Sequence, residues 1–243
     1  MTVVLKLGGS VITDKDTPET VDRAALDAAS STIAAYGDTD LVIVHGGGSF
    51  GHHHAAAHGV SRTAGTHDDT AVRDVHRAMK RLNEQVVDAL AAVDVPAIPV
   101  HPLSVAHRSM EDELRLPSQQ VRTLLTEGFV PVLHGDVIGH EAMGATILSG
   151  DELVCALAEA LSADRVGLCS AVPGVLDGED VIPEINDFED VAHVLGASES
   201  TDVTGGMAGK VRALLDLETP AFVFDRGGLE PFLMGRQPGT RIG

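Results

Sequence analysis

The chain has 243 residues, 44% of them hydrophobic, so it can bury the core of one large α/β domain and is not disordered. It carries 36 acidic residues against 17 Lys and Arg, for a formal charge of -19. Such a surface repels nucleic acid and anionic membranes, so we expect neither as a partner.

Short apolar runs that end in turn residues alternate with longer segments of helical periodicity. The predicted strands are Val3–Leu7, 41–44, 97–100, 129–133, 165–168 and Ala221–Phe224. The predicted helices cover about 23–35, 71–92, 118–126, 152–161 and 206–217. The polar stretches 59–69 and 178–184 are predicted loops, the first of them mobile. This alternation predicts a three-layer αβα sandwich around a mostly parallel sheet, as one domain over residues 1–243.

Composition also indicates the compartment. Cys155 and Cys169 are too few for a disulfide framework and suit a reducing environment. The N-terminus runs straight into an apolar strand without the features of a signal peptide, and no apolar run approaches the roughly 20 residues of a membrane span. The acidic surplus is typical of a salty cytoplasm, where ions screen it. We expect a cytoplasmic protein.

Lysine is scarce, and three of the four lysines flank glycine-rich turns. Lys6 and Lys15 lie on either side of the turn at residues 8–10, and Lys210 follows the run at 205–209. Glycine lets backbone amides approach an anion closely, and an ammonium group adds a compact charge. The placement predicts phosphate binding or phosphoryl transfer, although unrelated surface lysines would give the same pattern.

The most specific motif is His-Gly-Gly-Gly-Ser-Phe-Gly-His at residues 45–52, directly after a predicted strand. It contains the G-x-G-x-x-G spacing of dinucleotide sites, but such a site needs a second buried strand, and the polar residues 61–66 do not form one. A P-loop is also excluded, because Lys210 is not followed by Ser or Thr.

The histidine run His52, His53 and His54, together with His58, raises the possibility of a metal site. Consecutive imidazoles point in different directions, so at most two could bind one ion. We predict no metal site. Instead, His52 is the candidate functional residue because it is nearest the glycine turn, while His53 and His54 are expected to face solvent or pack locally.

Two further turns precede predicted helices. The carboxylate of Asp151, in Ser-Gly-Asp at 149–151, could cap its helix or orient two lysines toward a transferring phosphoryl group, and both alternatives stay open. Residues 202–207 precede the helix that carries Lys210, where N–H groups and the helix dipole would form an anion site.

Together, these motifs and the Gly-Asp pair at 135–136 resemble the amino acid kinase superfamily, in order from Lys6 to Lys210. The Ser-Phe-Gly-His sequence at 49–52 is narrower and resembles the isopentenyl phosphate kinase family. The resemblance implies ATP-dependent phosphorylation of isopentenyl phosphate to isopentenyl diphosphate for archaeal lipid synthesis. It also implies a need for Mg²⁺ and a homodimer.

The resemblance implies roles for individual residues. The catalytic residues would be Lys6, Lys15, His52, Asp151 and Lys210. The ATP contacts would come from Lys6, Gly8, Gly9, Ser10, Gly47, Ala171, Gly206 and Lys210. The acceptor contacts would come from Gly46, Gly51, His52 and Gly150. The N-terminal part would hold the acceptor, and roughly 150–243 would hold the nucleotide.

One segment departs from the family pattern. Relatives usually have Thr-Asp-Val-Asp-Gly-Val-Tyr where this chain has Ser-Ala-Val-Pro-Gly-Val-Leu at 170–176. Both carboxylates are lost, at Ala171 and Pro173, which affects the expected nucleoside contacts but not the phosphate chemistry. The alternatives are a kinase for a carboxylate or a nucleoside monophosphate, and a non-catalytic nucleotide-binding regulator.

Overall fold

A computed structural model describes residues 1–38, 40–195 and 206–243. The strands are β1 (Val3–Leu7), β2 (Leu41–His45), β3 (Ala97–Pro99), β4 (His107–Arg108), β5 (Leu114–Arg115), β6 (Val130–His134), β7 (Asp136–His140), β8 (Gly144–Leu148), β9 (Arg165–Cys169), β10 (Leu176–Asp177), β11 (Asp180–Val181), β12 (Glu184–Ile185), β13 (Ala221–Phe224) and β14 (Thr240–Ile242). The helices are α1 (Gly9–Ile12), α2 (Arg23–Tyr36), α3 (Gly48–Ala57), α4 (Asp69–Ala91), α5 (Gln119–Thr126), α6 (Gly150–Leu161), α7 (Ala192–Leu195), α8 (Gly206–Leu215) and α9 (Leu229–Leu233).

Within the described residues, the central sheet has eight strands in the order β12-β14-β13-β9-β1-β2-β6-β3. The pairs from β13 through β9, β1, β2 and β6 to β3 are all parallel, whereas β14 runs antiparallel to β13. The carboxyl ends of β1, β2, β6 and β9 therefore meet at one edge of the sheet, where ligands bind in open α/β folds.

Both faces of the sheet are covered, because alternate residues of each strand point to opposite sides. In β1, Val3, Leu5 and Leu7 pack in one core with α2, α4 and α9, whereas Val4 packs in the other with α5, α6 and α8. The predicted αβα sandwich is confirmed, and its predicted strands and longer helices agree with the structure to within a few residues.

The structure also contains elements that the sequence did not predict. β7 and β8 form an antiparallel pair in a second, four-stranded sheet ordered β5-β4-β7-β8. The predicted loop at 59–69 is tied to this sheet by a bridge between Thr66 and Ala145, and the predicted loop at 178–184 lies within the β10–β11 hairpin and the start of β12. Among the described residues, no helix combines the length and hydropathy that a membrane crossing requires.

Candidate active site

A cavity of about 690 Å³ opens at the carboxyl ends of the central strands. The predicted site residues that line it are Lys6, Gly8, Gly9, Ser10, Lys15, Gly46, Gly47, Gly51, His52, Gly150, Asp151 and Lys210. Two predicted ATP contacts, Ala171 and Gly206, are not among its described lining residues. Residues 202–205 of the predicted anion-binding turn lie outside the part of the chain that the structure describes.

The two glycine turns touch backbone to backbone, which explains why neither carries side chains at the contact. A Cβ atom at Gly9 would lie 2.2 Å from the Gly48 nitrogen, and one at Gly48 would lie 2.2 Å from the Thr13 hydroxyl. The Thr13 hydroxyl donates to the Gly9 carbonyl at 2.8 Å and accepts the Ser49 N–H at 3.1 Å. The turns after β1 and β2 therefore form one surface of backbone groups.

Two lysines converge on one carboxylate at the cavity. Nζ of Lys6 lies 2.7 Å from Oδ1 of Asp151, and Nζ of Lys210 lies 3.9 Å from the same oxygen. Ser149, not Asp151, is the N-cap of α6, because its hydroxyl accepts the Glu152 N–H at 3.1 Å. The carboxylate of Asp151 is thus free of capping and available to the lysines.

The ionisation of Asp151 is decided by burial and by these two cations. Burial disfavours the carboxylate, but the charges of Lys6 and Lys210 outweigh it and lower the pKa of Asp151. At neutral pH the site therefore contains an anion held between two ammonium groups. This arrangement fixes the positions of Lys6 and Lys210, and because two ammonium groups face one carboxylate, the cluster of these three side chains keeps a surplus positive charge.

The histidine run lies on α3, which begins at Gly48, so the motif at residues 45–52 is a short turn followed by the first residues of a helix. His52 and His53 are exposed and line the cavity. His54 is half-buried, and its Nε2 lies 2.5 Å from Oε1 of Glu19, so it packs locally as expected.

One wall of the cavity is apolar, and the sequence did not identify its individual residues. Ala55 of α3, Val75 and Met79 of α4 and Ile147 of β8 line this side. Gly51 belongs to the same wall, since a Cβ there would meet the Met79 sulfur at 2.6 Å. Only helical spacing in α4 could have suggested Val75 and Met79, and that spacing also fits ordinary core residues.

A buried carboxylate also borders the cavity at Asp136, the first residue of β7. Its two oxygens lie 3.1 and 2.9 Å from Nδ1 of His76 on α4. Burial raises the pKa of Asp136, and the hydrogen bond and charge of His76 act against that rise. The pair joins residues 60 positions apart in the chain, which sequence spacing could not reveal.

Two buried histidines fix the backbone where β2 and β6 end. His45 donates its Nδ1–H to the carbonyl of Gly46 at 3.1 Å, and His134 donates its Nδ1–H to the carbonyl of Gly135 at 2.9 Å. Burial lowers the pKa of His45 to about 4 and that of His134 well below its usual value. Both side chains are therefore neutral and hold the glycine peptides at the rim of the cavity.

These buried histidines should make the free energy of unfolding fall as the medium is acidified. In the unfolded chain each takes up a proton near pH 6.5, whereas folded His45 stays neutral until about pH 4. Between these values the unfolded state binds more protons, so each histidine lowers the stability by up to about 1.4 kcal/mol per pH unit. Denaturant unfolding at pH 7 and pH 5, in equally high salt, measures the effect.

The control for this experiment is His107→Gln, which removes an exposed histidine and should leave the pH dependence unchanged. Equal free energies of unfolding at pH 7 and pH 5 would contradict neutral burial of His45 and His134.

The family of the protein follows from comparison with known sequences. Residues 1–224 match the model of the amino acid kinase family. This match spans most of the chain and includes both glycine turns, Asp151 and Lys210. The chain belongs to the amino acid kinase family.

Its relatives define the branch of that family. The chain is 62% identical over 242 residues to isopentenyl phosphate kinase of Haloferax volcanii, covering 99% of this chain and 98% of the relative. It is 31% identical to isopentenyl phosphate kinase of Methanocaldococcus jannaschii, covering 100% and 98%. X-ray structures of isopentenyl phosphate kinase match it with a TM-score of 0.83 and 29% identity over the whole of both chains. The chain therefore belongs with the isopentenyl phosphate kinases, and the resemblance predicted from its motifs is confirmed.

Proposed function

We propose that the protein transfers the terminal phosphoryl group of ATP to isopentenyl phosphate, giving isopentenyl diphosphate for isoprenoid synthesis. The observation that carries this proposal is the convergence of Lys6 and Lys210 on Asp151, in a cavity that has His52 at its edge and an apolar wall. An acceptor with a phosphate and a prenyl tail requires cations and an apolar surface together. The 62% identity to an isopentenyl phosphate kinase supports the same acceptor.

The chemical step needs charge stabilisation more than acid–base catalysis. An oxygen of isopentenyl phosphate forms a bond to the γ-phosphorus of ATP while the bond to the bridging oxygen breaks, and ADP leaves. The attacking oxygen is already anionic, so no strong base is required. Lys6, Lys15 and Lys210 bring the two anions together and stabilise the charge of the transition state, with Asp151 holding Lys6 and Lys210 in place.

Different residues of the glycine turns contact the two ligands, and His52 contacts the acceptor. Gly9, Ser10 and Gly47 offer backbone N–H groups to the ATP phosphates, and Gly8, whose own N–H donates to the Cys169 carbonyl, lies beside them. Gly46, Gly51 and Gly150 lie beside the acceptor phosphate. His52 donates a ring N–H to that phosphate, which orients it without taking up a proton. The exposure of His52 at the cavity leaves its imidazole available for this contact.

The apolar wall suits the prenyl tail. Val75 and Met79 are buried on the α4 side, and Ile147 faces the cavity from β8. A five-carbon tail can cover these side chains while its phosphate stays near His52. This contact removes apolar surface from water and favours isopentenyl phosphate over acceptors that carry a second charged group at that end.

The nucleotide belongs to the C-terminal part of the single domain, about residues 150–243. Lys210 on α8 reaches the same carboxylate as Lys6, which supports an ATP phosphate site between the two halves. Ala171 and Gly206 stay proposed as nucleotide contacts. The loss of the family's carboxylates at Ala171 and Pro173 requires that other groups recognise the nucleoside.

We expect the enzyme to require added Mg²⁺ and to contain no stoichiometric transition metal. Among the described residues, no group of three or more His, Cys, Asp or Glu side chains could enclose an ion, and Asp151 is already engaged by lysines. Mg²⁺ would be held by the phosphate oxygens of ATP, whose charge it would partly neutralise. Elemental analysis and activity with and without Mg²⁺ test this. One zinc per chain, lost together with activity on chelation, would overturn it.

The functional form is proposed to be a cytoplasmic homodimer. β3 lies at the edge of the central sheet, and the neighbouring face of α4 carries Arg77 and Lys80 followed by Glu84 and Asp88. Two antiparallel copies of this face would bring opposite charges together across a two-fold axis. Sedimentation equilibrium should give twice the chain mass, whereas a single-chain mass at working concentrations would exclude the dimer.

The proposed activity is tested by measuring ATP consumption with and without isopentenyl phosphate. We expect rapid formation of ADP only when the acceptor is present. Equal consumption in its absence would indicate a simple ATPase. Consumption that responds to acetylglutamate or UMP but not to isopentenyl phosphate would assign another acceptor.

A further inference from the structure

Lys15 lies on the loop between α1 and α2, and its own side chain does not hold that loop in place. The Asp14 N–H donates to the Thr20 carbonyl at 2.9 Å, which closes the loop at its base. The exposed Lys15 lines the cavity, but it forms no hydrogen bond or ion pair with any of the described residues. The distance between its ammonium group and a bound phosphate therefore depends on how the loop is held.

Glu19 connects this loop to helices α3 and α4 through its side chain. Its Oε1 lies 2.5 Å from Nε2 of His54 on α3 and 2.5 Å from Nη2 of Arg81 on α4. Its N–H also donates to the Ser49 carbonyl at 3.2 Å. Glu19 has a φ of 51°, a left-handed conformation that a non-glycine residue keeps only when its contacts hold it.

We propose that Glu19, through His54 and Arg81, is a positioning residue that holds Lys15 over the phosphate site. This inference rests on the proposed function, because it takes Lys15 to contact phosphate. It gives the histidine run two separate tasks. His52 serves the acceptor, and His54, two residues further along α3, holds the opposite loop. Glu19 is ionised in this arrangement, since the hydrogen bond from His54 and the charge of Arg81 lower its pKa against the effect of burial.

The first test measures the loop directly and does not depend on catalysis. Glu19→Ala should increase the rate at which a lysine-specific protease cleaves after Lys15, with the cut located by mass spectrometry. Glu19→Gln, which keeps an oxygen acceptor, should be intermediate. The matched control is Asp74→Ala, which breaks the 3.1 Å pair between His58, the residue after α3, and Asp74 of α4. An unchanged cleavage rate in Glu19→Ala would overturn the proposal.

The second test is a double-mutant cycle with Lys15→Met. In the presence of Lys15, Glu19→Ala should lower kcat/KM for ATP about tenfold, with the thermal midpoint unchanged, because a displaced cation no longer meets the phosphate. In the Lys15→Met background, Glu19→Ala should have no further effect. Independent, multiplicative losses would show that Glu19 does not act through Lys15 and would overturn the proposal.

The two tests separate the inference from the function on which it rests. If Lys15→Met alone leaves turnover unchanged, the proposed phosphate role of Lys15 is wrong, and the positioning role falls with it. The proteolysis result still decides whether Glu19 fastens the loop.

Discussion

Replacing Lys6 or Lys210 with alanine should lower turnover about a hundredfold while the protein stays folded. Each ammonium group is held by Asp151 at the cavity before substrate binds, so we expect it to stabilise the transition state without reorganisation. Losing one such preorganised charge costs roughly 3 kcal/mol of transition-state stabilisation. Single-turnover and steady-state kinetics of the purified variants, with thermal unfolding of each, measure both parts of the expectation.

The remaining lysine on a helix, Lys80, serves as the control for the Lys6 and Lys210 variants. Lys80 is exposed on the proposed dimer face of α4 and does not line the cavity, so Lys80→Ala should retain wild-type turnover when measured on the dimeric variant. Lys6→Met should be as inactive as Lys6→Ala, although it keeps the aliphatic stem that packs in the interior. Near wild-type turnover in folded Lys6→Ala or Lys210→Ala would rule out the phosphoryl-transfer site described above.

The second large effect is expected at His52. If its ring N–H holds the acceptor phosphate, His52→Ala should raise the KM for isopentenyl phosphate and lower kcat/KM for it, with little change in ATP binding. His52→Gln should retain part of the function, because an amide N–H can replace the imidazole donor without accepting a proton. A general base would give the opposite pattern, with Gln as inactive as Ala.

His58→Ala is the matched control for His52. It removes another histidine at the end of α3, one that pairs with Asp74 and does not line the cavity. We expect His53→Ala to leave turnover nearly unchanged. His54→Ala should lower kcat/KM for ATP, as Glu19→Ala does, because His54 is a partner of Glu19. If His52→Ala leaves both kcat and the acceptor KM unchanged, the kinase function can stand, but the assignment of its acceptor loses its residue-level support.

The central layers could be predicted because their sequence signal is local. The strands β1, β2, β6 and β13 are mainly apolar and buried on both faces, as is typical of parallel sheets, and glycine turns mark several of their ends. α3 could not be predicted, since Gly48, Gly51 and the histidine run are weak helix formers. That helix depends on tertiary packing, with Phe50 and Ala55 buried.

The second sheet was missed for a related reason. β7 begins with Asp136 and ends with His140, residues that are rare in buried strands. Asp136 is accommodated by His76 of α4, a partner that only the folded chain brings near. In the same way, the sequence indicated the cations of the candidate site but not the individual residues of the apolar wall or the contact between Glu19 and His54.

Phosphorus NMR in high salt can follow ATP, Mg²⁺ and isopentenyl phosphate together in one reaction. We expect stoichiometric conversion of isopentenyl phosphate to isopentenyl diphosphate and of ATP to ADP. Acetylglutamate and UMP should not be phosphorylated at comparable rates. Release of inorganic phosphate without a diphosphate product, or faster phosphorylation of either alternative acceptor, would show that the proposed function is wrong.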